Sequence, residues 1–559
     1  MGEIVEILED ENKTEEIVVP LDEQASAPVE ITEEISNNNE PNAMIEITEE
    51  SSSNVANAPI EITEDQPVTN IETIEENEMA VPVDIDEQVI NQQLGINQEH
   101  PNEVLPDVFE KQLRNNDDAI TEEEYINEKI KNQNKKIENS SNVYEVGSVT
   151  VVKDFILEVT GLENVQFYER VNIEDKGFGY VSKIEKNYIT VSLLQKNQNI
   201  VVGDGVYRTN TEYMGEYSKD ALGRIIDIFG NDKLNNKKFQ NIIEVPIEIE
   251  TFPIMDRTSV KRPMFTGIAG IDLIYPIGKG QRQLIIGDKK TGKTQICLDA
   301  IVNQKGKNMI CIYVAIGKTK KEVKELYYEL LKREAMNYTI IVTAFNDDLP
   351  PAISFTPYYA LSVAANYLYE GYDVLVVLDD LKKHADSYRE ICLISGKAPG
   401  RDAYPSDIFY LHSRLLERGC QYKNGGSITI LPVVETKGGD ITDYISTNII
   451  SITDGQIVLS TKNYQKGIKP AIDYGLSVSR LGGSVQNEAT KKLGAKVRQR
   501  LLSYLETKEV YELSNVDEMS PELRDKMING GKLLNSLIQY KYSPLKEEEI
   551  LERFKEFNG

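Results

Sequence analysis

The segment Leu284-Ile-Ile-Gly-Asp-Lys-Lys-Thr-Gly-Lys-Thr294 decides the fold of this chain. An apolar strand over 284–286 leads directly into the pattern G-x-x-x-x-G-K-[ST], and a helical pattern over 295–304 follows it. Glycines in such a loop let backbone N–H groups curve around a phosphate chain, the lysine reaches the terminal phosphates, and the hydroxyl ligates Mg²⁺. Strand, loop and helix in this order therefore predict a phosphate-binding loop within an α/β domain.

The predicted ligand is the phosphate chain of a nucleotide, held together with Mg²⁺. A second apolar run, 374–378, ends in two aspartates, and an Asp at the carboxyl end of such a strand lies beside the loop and can hold Mg²⁺. We predict Thr294 and Asp379 as the metal ligands, with Asp380 as the alternative to Asp379. The predicted nucleotide-binding residues form one continuous stretch, listed in chain order: Gly287, Asp288, Lys289, Lys290, Thr291, Gly292, Lys293, Thr294 and Gln295.

Three kinds of pattern divide the chain around this loop. Residues 143–208 alternate apolar and polar over short runs, which favours a small β-barrel or sandwich. Near-continuous apolar runs indicate parallel strands that are covered on both faces, at 284–286, 309–316, 340–342, 374–378 and 428–434. After Arg480 the pattern becomes helical, with helices expected at 489 to about 513, about 521–539 and 546–557.

The charge of the chain is concentrated at one end. Of 559 residues with a net charge of −30, residues 1–140 hold 37 acidic and 7 basic side chains, and the remainder is balanced. Residues 1–110 contain a single base, Lys13, so disorder is expected there. This balance excludes an overall basic nucleic-acid binder, although a local basic groove stays possible. The predicted domains are an acidic tail over 1–142, a β-barrel over 143–208, a nucleotide-binding domain over 209–486 and a shortened helical domain over 487–559.

The acidic tail contains an irregular repeat. Val29-Glu-Ile-Thr-Glu-Glu34 recurs, with changes, from residues 45, 60 and 71. The units are either short strand-like motifs that add to the sheet edge of an unknown partner, or repeats that arose by chance in a low-complexity, acidic and solvated tail. A short exposed helix or frayed connector is expected over 121–138. No apolar run of about 18 residues and no signal-peptide pattern occur, and the four cysteines fit a reducing cytoplasm as buried small hydrophobes.

Several long motifs resemble the α subunit of F-type ATPases. They lie over 276–294, 399–418, 431–436, 451–456 and 475–480, and the resemblance extends from about 143 to about 545. The resemblance implies a hexameric ring of alternating α- and β-type subunits around a central γ-type shaft. It also implies a β-barrel, a RecA-like nucleotide domain and a helical domain in each chain. The ring would sit at the cytoplasmic face of the membrane through other subunits.

One position argues against hydrolysis by this chain itself. The family's catalytic subunits place a Glu after the strand that follows the phosphate loop, and α subunits usually place a Gln there. Here Lys318 follows Ala315-Ile-Gly317, and a charged ammonium group only donates hydrogen bonds. The resemblance therefore implies a site that holds Mg-ATP without turning it over. Glu322 is the nearest carboxylate downstream and the alternative candidate.

Arg480 has a different predicted role. By the resemblance of Gly475-Leu-Ser-Val-Ser-Arg480, it is an arginine finger that enters the neighbouring β-type site and stabilises the transferring phosphoryl group. Lys289 and Lys290 would contact phosphates or base, or be solvated. Arg401 and Arg414 are expected in structural ion pairs, and His384 and His412 are expected to be structural.

Departures from the family leave other functions open. The acidic extension, the shortened C-terminal domain and the region around Glu512 differ from typical α subunits. An asparagine-rich, tryptophan-free composition suggests an AT-rich genome such as those of mycoplasma-like bacteria, in which related rings serve uncoupled transport or gliding motility. The alternatives are a Rho-type RNA-translocating hexamer, which needs a basic aromatic path, and a tethering protein with a damaged loop. A self-sufficient export motor would need Glu at 318.

Overall fold

The computed structural model describes residues 146–511 and 520–558. The predicted acidic tail over 1–142, its repeat, the connector over 121–138 and the region around Glu512 lie outside these residues. In the part of the chain that is described, no helix is both long and apolar enough to cross a membrane.

An antiparallel β-barrel forms the first part of the described chain. Its strands close in the order β1-β2-β5-β4-β3-β6, which leaves no free edge. Fully buried valines and leucines fill the interior, among them Val159, Val191 and Leu193. The strands are β1 (Val146–Lys153), β2 (Ile156–Thr160), β3 (Glu169–Ile173), β4 (Gly177–Ile184), β5 (Ile189–Lys196) and β6 (Gly205–Glu212). Of the two folds predicted for this region, the barrel is the one that forms.

A large central sheet follows the barrel. Within the described residues it has twelve strands, ordered β10-β9-β8-β15-β14-β16-β18-β13-β19-β20, with β12 and β17 attached beside β18. Its strands are β8 (Ile225–Ile226), β9 (Asn231–Asp232), β10 (Lys237–Lys238), β12 (Arg257–Thr258), β13 (Leu284–Asp288), β14 (Met309–Lys318), β15 (Thr339–Phe345), β16 (Asp373–Asp379), β17 (Cys420–Tyr422), β18 (Ser427–Thr436), β19 (Gly455–Leu459) and β20 (Val478–Ser479). Separately, β7 (Met214–Tyr217) pairs with β11 (Ile243–Pro246).

The five predicted parallel strands correspond to β13, β14, β15, β16 and β18, and their pairing is parallel throughout. Parallel strands with buried side chains on both faces need helices on both sides, and the helices here provide two apolar cores. Because the carboxyl ends of parallel strands meet at one edge, the loops after β13, β14, β16 and β18 lie together.

Eleven α-helices occur in the described residues, and α4 is buried along most of its length. They are α1 (Ala269–Ile274), α2 (Lys293–Val302), α3 (Lys320–Leu331), α4 (Pro350–Tyr369), α5 (Leu381–Ile394), α6 (Ile408–Leu416), α7 (Tyr444–Ile452), α8 (Thr461–Gln465), α9 (Glu488–Val510), α10 (Pro521–Ser536) and α11 (Glu547–Arg553).

The last three helices form the predicted C-terminal domain. α10 ends at Ser536, before the predicted end at 539, because Gln539 N donates to Lys469 O at 2.8 Å and not to a carbonyl of the helix. A 3₁₀ turn, Lys555–Asn558, follows α11. The predicted fold class, a β-barrel followed by an α/β RecA-like domain with a parallel sheet and then α-helices, is confirmed. The exact domain boundaries stay predictions.

Candidate nucleotide-binding site

The phosphate loop connects β13 to α2 at the carboxyl edge of the sheet. Gly292 is the N-cap residue of α2 and has φ 104°, a left-handed conformation that favours glycine. The α2 helix therefore begins at Lys293 with its backbone N–H groups facing the loop. A helix N-terminus of this kind attracts phosphate through its free N–H groups and its dipole.

Lys293 lies folded back across the loop. Its Nζ donates to the carbonyls of Gly287 at 2.8 Å and Asp288 at 2.7 Å, and the side chain is buried. Burial lowers the pKa of Lys293, while the nearby carboxylates of Glu435, Asp380 and Asp379 oppose that shift. The ammonium can exchange these two carbonyl partners for phosphate oxygens, while the nearby carboxylates continue to compensate its charge.

Asp288 fixes the loop from the other side. Its carboxylate accepts hydrogen bonds from Thr436 Oγ1 at 2.7 Å, Gly439 N at 2.8 Å and Thr461 Oγ1 at 2.9 Å. Burial raises the pKa of Asp288, but these three donors bring it below its ordinary value. Asp288 therefore acts as an anionic anchor that joins the loop to the ends of β18 and β19, and its side chain is not free for a ligand.

One carboxylate oxygen of Asp379 is the partner of three donor groups. Its Oδ2 accepts from Thr294 Oγ1 at 2.9 Å and from the hydroxyl of Tyr313, and it forms an ion pair with Lys318 Nζ at 3.0 Å. The carboxylate is 4% exposed. Burial lowers the pKa of Lys318, but the attraction of Asp379 outweighs it, so the net shift is upward and the ammonium is retained.

Lys318 reaches Asp379 because of a β-bulge. In β14, Ile316 pairs with Ala344 and Lys318 with Phe345, so Gly317 is the extra residue, with φ 60°. A bulge places its two residues on the same side of the strand. Lys318 consequently lies on the face of β14 that carries Tyr313, the face that contacts Asp379.

The neighbouring aspartate has a structural position. Asp380 is the N-cap residue of α5, and its Oδ1 accepts from Lys383 N at 2.7 Å. Burial and the adjacent Asp379 raise the pKa of Asp380 to about 6. Of the two aspartates, Asp379 contacts the loop hydroxyl and Asp380 caps a helix.

Glu322 forms a capping box at the start of α3. Its carboxylate accepts from the Thr319 N at 2.9 Å and the Thr319 Oγ1 at 2.7 Å, and the Glu322 N donates to Thr319 Oγ1. These bonds lower the pKa of Glu322, and its side chain is exposed. A carboxylate with a lowered pKa and an occupied oxygen is a weak proton acceptor.

The remaining predicted loop residues differ in surroundings. Lys289 and Lys290 are exposed, and Thr291 Oγ1 donates to Asp288 O at 2.8 Å. Gln295 Nε2 donates to Asp299 Oδ1 at 2.8 Å. The sequence pattern did not indicate Tyr313, Thr436 or Thr461 as site residues. Thr436 lies two residues after the predicted strand over 428–434, whereas nothing in the sequence signals Tyr313 or Thr461.

Arg480 lies near the amino ends of the parallel strands, at the end of the sheet opposite the phosphate loop; we call this end the amino edge. Ser479, the preceding residue, pairs with Gly455 at the start of β19, whereas Gly287 pairs with Leu459 at its end. Those positions are separated by four residues, which is roughly 13 Å along the strands. Arg480 is exposed, and its Nη2 donates only weakly to Ile450 O at 3.3 Å. The guanidinium therefore faces outward, away from the loop of its own chain.

A network of ion pairs lies at this amino edge, beside the backbone of Arg480. Arg282 donates to both oxygens of Asp454, at 3.0 and 2.8 Å, and it also pairs with Glu417. Burial lowers the pKa of Arg282, and the two carboxylates reverse this shift and raise it. The carbonyl of Asp454 accepts from Arg480 N at 2.9 Å, so the network fixes the backbone that carries Arg480.

The other singled-out residues have structural surroundings. His384 Nδ1 and His412 Nε2 lie 3.4 Å apart in the core, and burial lowers the pKa of both. Arg414 forms an ion pair with Glu248, and the exposed Arg401 forms one with Asp402, with Nε 3.9 Å from Oδ2. All four cysteines are buried and unpaired, as expected: Cys297, Cys311, Cys392 and Cys420.

Comparisons with known proteins agree with this geometry. The profile of the ATP synthase alpha/beta family, nucleotide-binding domain, matches residues 267–479. The ATP synthase subunit alpha of Acetivibrio thermocellus is 42% identical over 430 residues, covering 75% of this chain and 83% of that protein. The same subunit of Lactobacillus johnsonii is 41% identical over 432 residues, covering 77% and 86%. The sodium ion specific ATP synthase subunit alpha of Acetobacterium woodii is 39% identical over 438 residues, covering 78% and 87%.

The matched region contains the phosphate loop, Lys318, Asp379 and β20, so the predicted resemblance is confirmed. The chain belongs to the alpha subunits of the F-type ATPases, the ATP synthase subunit alpha family.

Proposed function

We propose that this chain is a non-catalytic, nucleotide-binding subunit that alternates with catalytic β-type subunits in a ring and supplies Arg480 to the neighbouring site. Its own site would hold ATP or ADP at the loop 287–294. A γ-type shaft in the centre, a location in the cytoplasm at the membrane face, and a partner for the acidic tail belong to the same proposal. They rest on the family alone.

The donor groups at the carboxyl edge support nucleotide binding. The loop glycines, the N-terminus of α2 and the ammonium of Lys293 supply the donors that a phosphate chain requires. The Thr294 hydroxyl and the Asp379 carboxylate, 2.9 Å apart, are oxygen ligands of the kind that Mg²⁺ prefers, and they are the residues that would hold it. When bound, Mg²⁺ would neutralise phosphate charge.

The ion pair between Lys318 and Asp379 is the observation that carries the non-catalytic assignment. Hydrolysis needs a group that orients and deprotonates water near the terminal phosphate. Lys318 has no lone pair in its charged form, and the nearest carboxylate downstream, Glu322, is engaged in a helix cap. No side chain in this pair of candidates can serve as the base.

The position of Arg480 supports its proposed role in the neighbour. An exposed guanidinium at the edge opposite the loop cannot reach the phosphates of its own chain, whereas it can enter a site on an adjacent subunit. A planar guanidinium also suits a phosphoryl group better than an ammonium does.

The test is steady-state ATP hydrolysis by the purified full chain and by the complex with which it co-purifies. We expect a silent chain and an active, heteromeric complex. Turnover by the chain alone, at the specific activity of the complex, would contradict the non-catalytic assignment and direct the search for a base back to Glu322.

A further inference from the structure

The cation at Asp379 is supplied by the protein itself. Lys318 Nζ lies 3.0 Å from Asp379 Oδ2, and the same oxygen also accepts from Thr294 and Tyr313. Three donors saturate that oxygen. A divalent ion or its water could approach Oδ2 only by displacing at least one of them.

The ammonium is held firmly in this position. Its side chain is 19% exposed, and the bulge at Gly317 fixes the backbone that carries it. Asp379 is followed directly by Asp380, and Glu435 lies close enough to influence Lys293. A cluster this acidic, beside a bound phosphate chain, needs positive charge, and Lys318 provides it together with Lys293.

We propose that Lys318 is a built-in counter-ion that lets this site retain nucleotide without Mg²⁺, and so determines its metal dependence. This inference rests on the proposed nucleotide binding. A hydrated Mg²⁺ normally bridges the phosphates and the strand-end aspartate. Here a fixed ammonium compensates part of the same negative charge, and it competes with the ion for Asp379. Nucleotide would stay bound when free Mg²⁺ is low, as a permanent part of the subunit.

The experiment is a fluorescence titration of the full chain with N-methylanthraniloyl-ADP, once with excess Mg²⁺ and once with EDTA. For the unchanged chain we expect dissociation constants that differ by less than about threefold. In Lys318→Gln the chain loses the positive charge beside Asp379, so we expect binding in EDTA to weaken at least roughly tenfold relative to binding with Mg²⁺.

Two variants act as controls. Lys318→Arg keeps the positive charge and should keep the weak metal dependence. Lys320→Gln removes a lysine two positions away that is exposed and pairs with Asp347. The ratio of the dissociation constants in EDTA and in Mg²⁺ should therefore not change in this variant. A tenfold metal dependence in the unchanged chain, or equal ratios in the unchanged chain and Lys318→Gln, would overturn the inference. Absence of binding under both conditions would instead overturn the proposed nucleotide binding and the inference with it.

A second readout measures metal binding directly, on the chain saturated with ADP. Mn²⁺ takes the same oxygen ligands as Mg²⁺ and is visible by electron paramagnetic resonance. With ADP-loaded chain, Lys318→Gln should bind Mn²⁺ more tightly than the unchanged chain, because the competing ammonium is gone. Equal Mn²⁺ affinity would contradict the inference even if Lys318→Gln were partly destabilised.

Discussion

The carboxyl and amino edges of the central sheet both carry clustered charge, but they use it differently. At the carboxyl edge, Lys293 is buried against carbonyls, and the partly buried Lys318 lies against Asp379. At the amino edge, Arg282 is the compensated charge, and Arg480 beyond it is exposed with one weak contact. The cations of the first edge have partners within the chain, whereas the guanidinium of Arg480 at the second edge stays exposed.

Under the proposed function, this contrast would let one domain serve two nucleotide sites. A buried, compensated cation can exchange its partners for a ligand of its own chain. An exposed cation on a rigid backbone is suited to a ligand held elsewhere. The following experiments test whether the two edges are as independent as this contrast implies.

The largest effect is expected at the amino edge. Arg480→Ala should lower ATP hydrolysis by the complex roughly 10³–10⁵-fold, because an arginine finger supplies that much in comparable enzymes. Nucleotide binding by the isolated full chain should not change. Steady-state hydrolysis and a nucleotide titration measure the two quantities.

Arg480→Lys is the matched variant, since it keeps the charge and loses the planar guanidinium. We expect it to restore only part of the ATP hydrolysis that Arg480→Ala loses. Hydrolysis within tenfold of the unchanged complex, for Arg480→Ala, would show that this edge does not serve the neighbouring site.

The next effect belongs to the carboxyl edge. Lys293→Ala should weaken nucleotide binding by the full chain at least roughly 100-fold, because charge-assisted hydrogen bonds contribute about 1.5–3 kcal/mol each. Lys289→Ala, in the same loop but exposed, should change affinity less than about threefold. Equal losses in the two variants would mean that the loop binds phosphate through its general charge and not through the buried ammonium.

The smallest effect concerns the free energy of unfolding and Asp299, which lies on α2, the helix that follows the phosphate loop. Burial raises the pKa of Asp299 to about 6, although Tyr542 N and Gln295 Nε2 both donate to its Oδ1. The ordinary value is about 3.9, so both folded and unfolded chains are protonated below about pH 4. Between pH 4 and 6 the unfolded chain releases this proton first, and stability falls as the pH rises.

Asp299→Asn keeps the accepting Oδ1 and removes the charge. We expect a flatter pH dependence between 4 and 6 and a gain of roughly 1–3 kcal/mol in the free energy of unfolding above pH 6. Urea unfolding at pH 4.5 and 7.5 measures both. Asp175→Asn, at an exposed position, should change neither. An unchanged pH slope in Asp299→Asn would assign the slope to another carboxyl group.

The sequence predicted the parts of this molecule that depend on local pattern. Apolar runs located five of the parallel strands to within a few residues, because strands buried on both faces leave little ambiguity. The parallel strand β19, which pairs with β13, was not predicted. The loop 287–294 was equally clear, since its motif follows a strand and precedes a helix. The barrel was predicted only as one of two folds, because alternation along a strand does not reveal whether a sheet closes.

What the sequence could not predict depends on distant contacts. The pairing of Lys318 with Asp379 joins residues on β14 and β16, and it requires a bulge that no local pattern announces. Likewise, Thr461 reaches Asp288 from α8, far along the chain. The short strands β8, β9 and β10 extend the sheet from only two residues each, too few for a periodic signal.

The strand β13 has a mechanical consequence. Parallel neighbours β18 and β19 bind it on both sides, Arg282 stands just before its first residue, and the phosphate loop follows Gly287 near its other end. Through Asp454, Arg282 is connected to the backbone of Arg480. The strand therefore links the phosphate loop of the chain to the backbone of its exposed arginine through continuous pairing and hydrogen bonds. Under the proposed function, we expect the distance between this chain's nucleotide and Arg480 to change little while the neighbouring subunit moves.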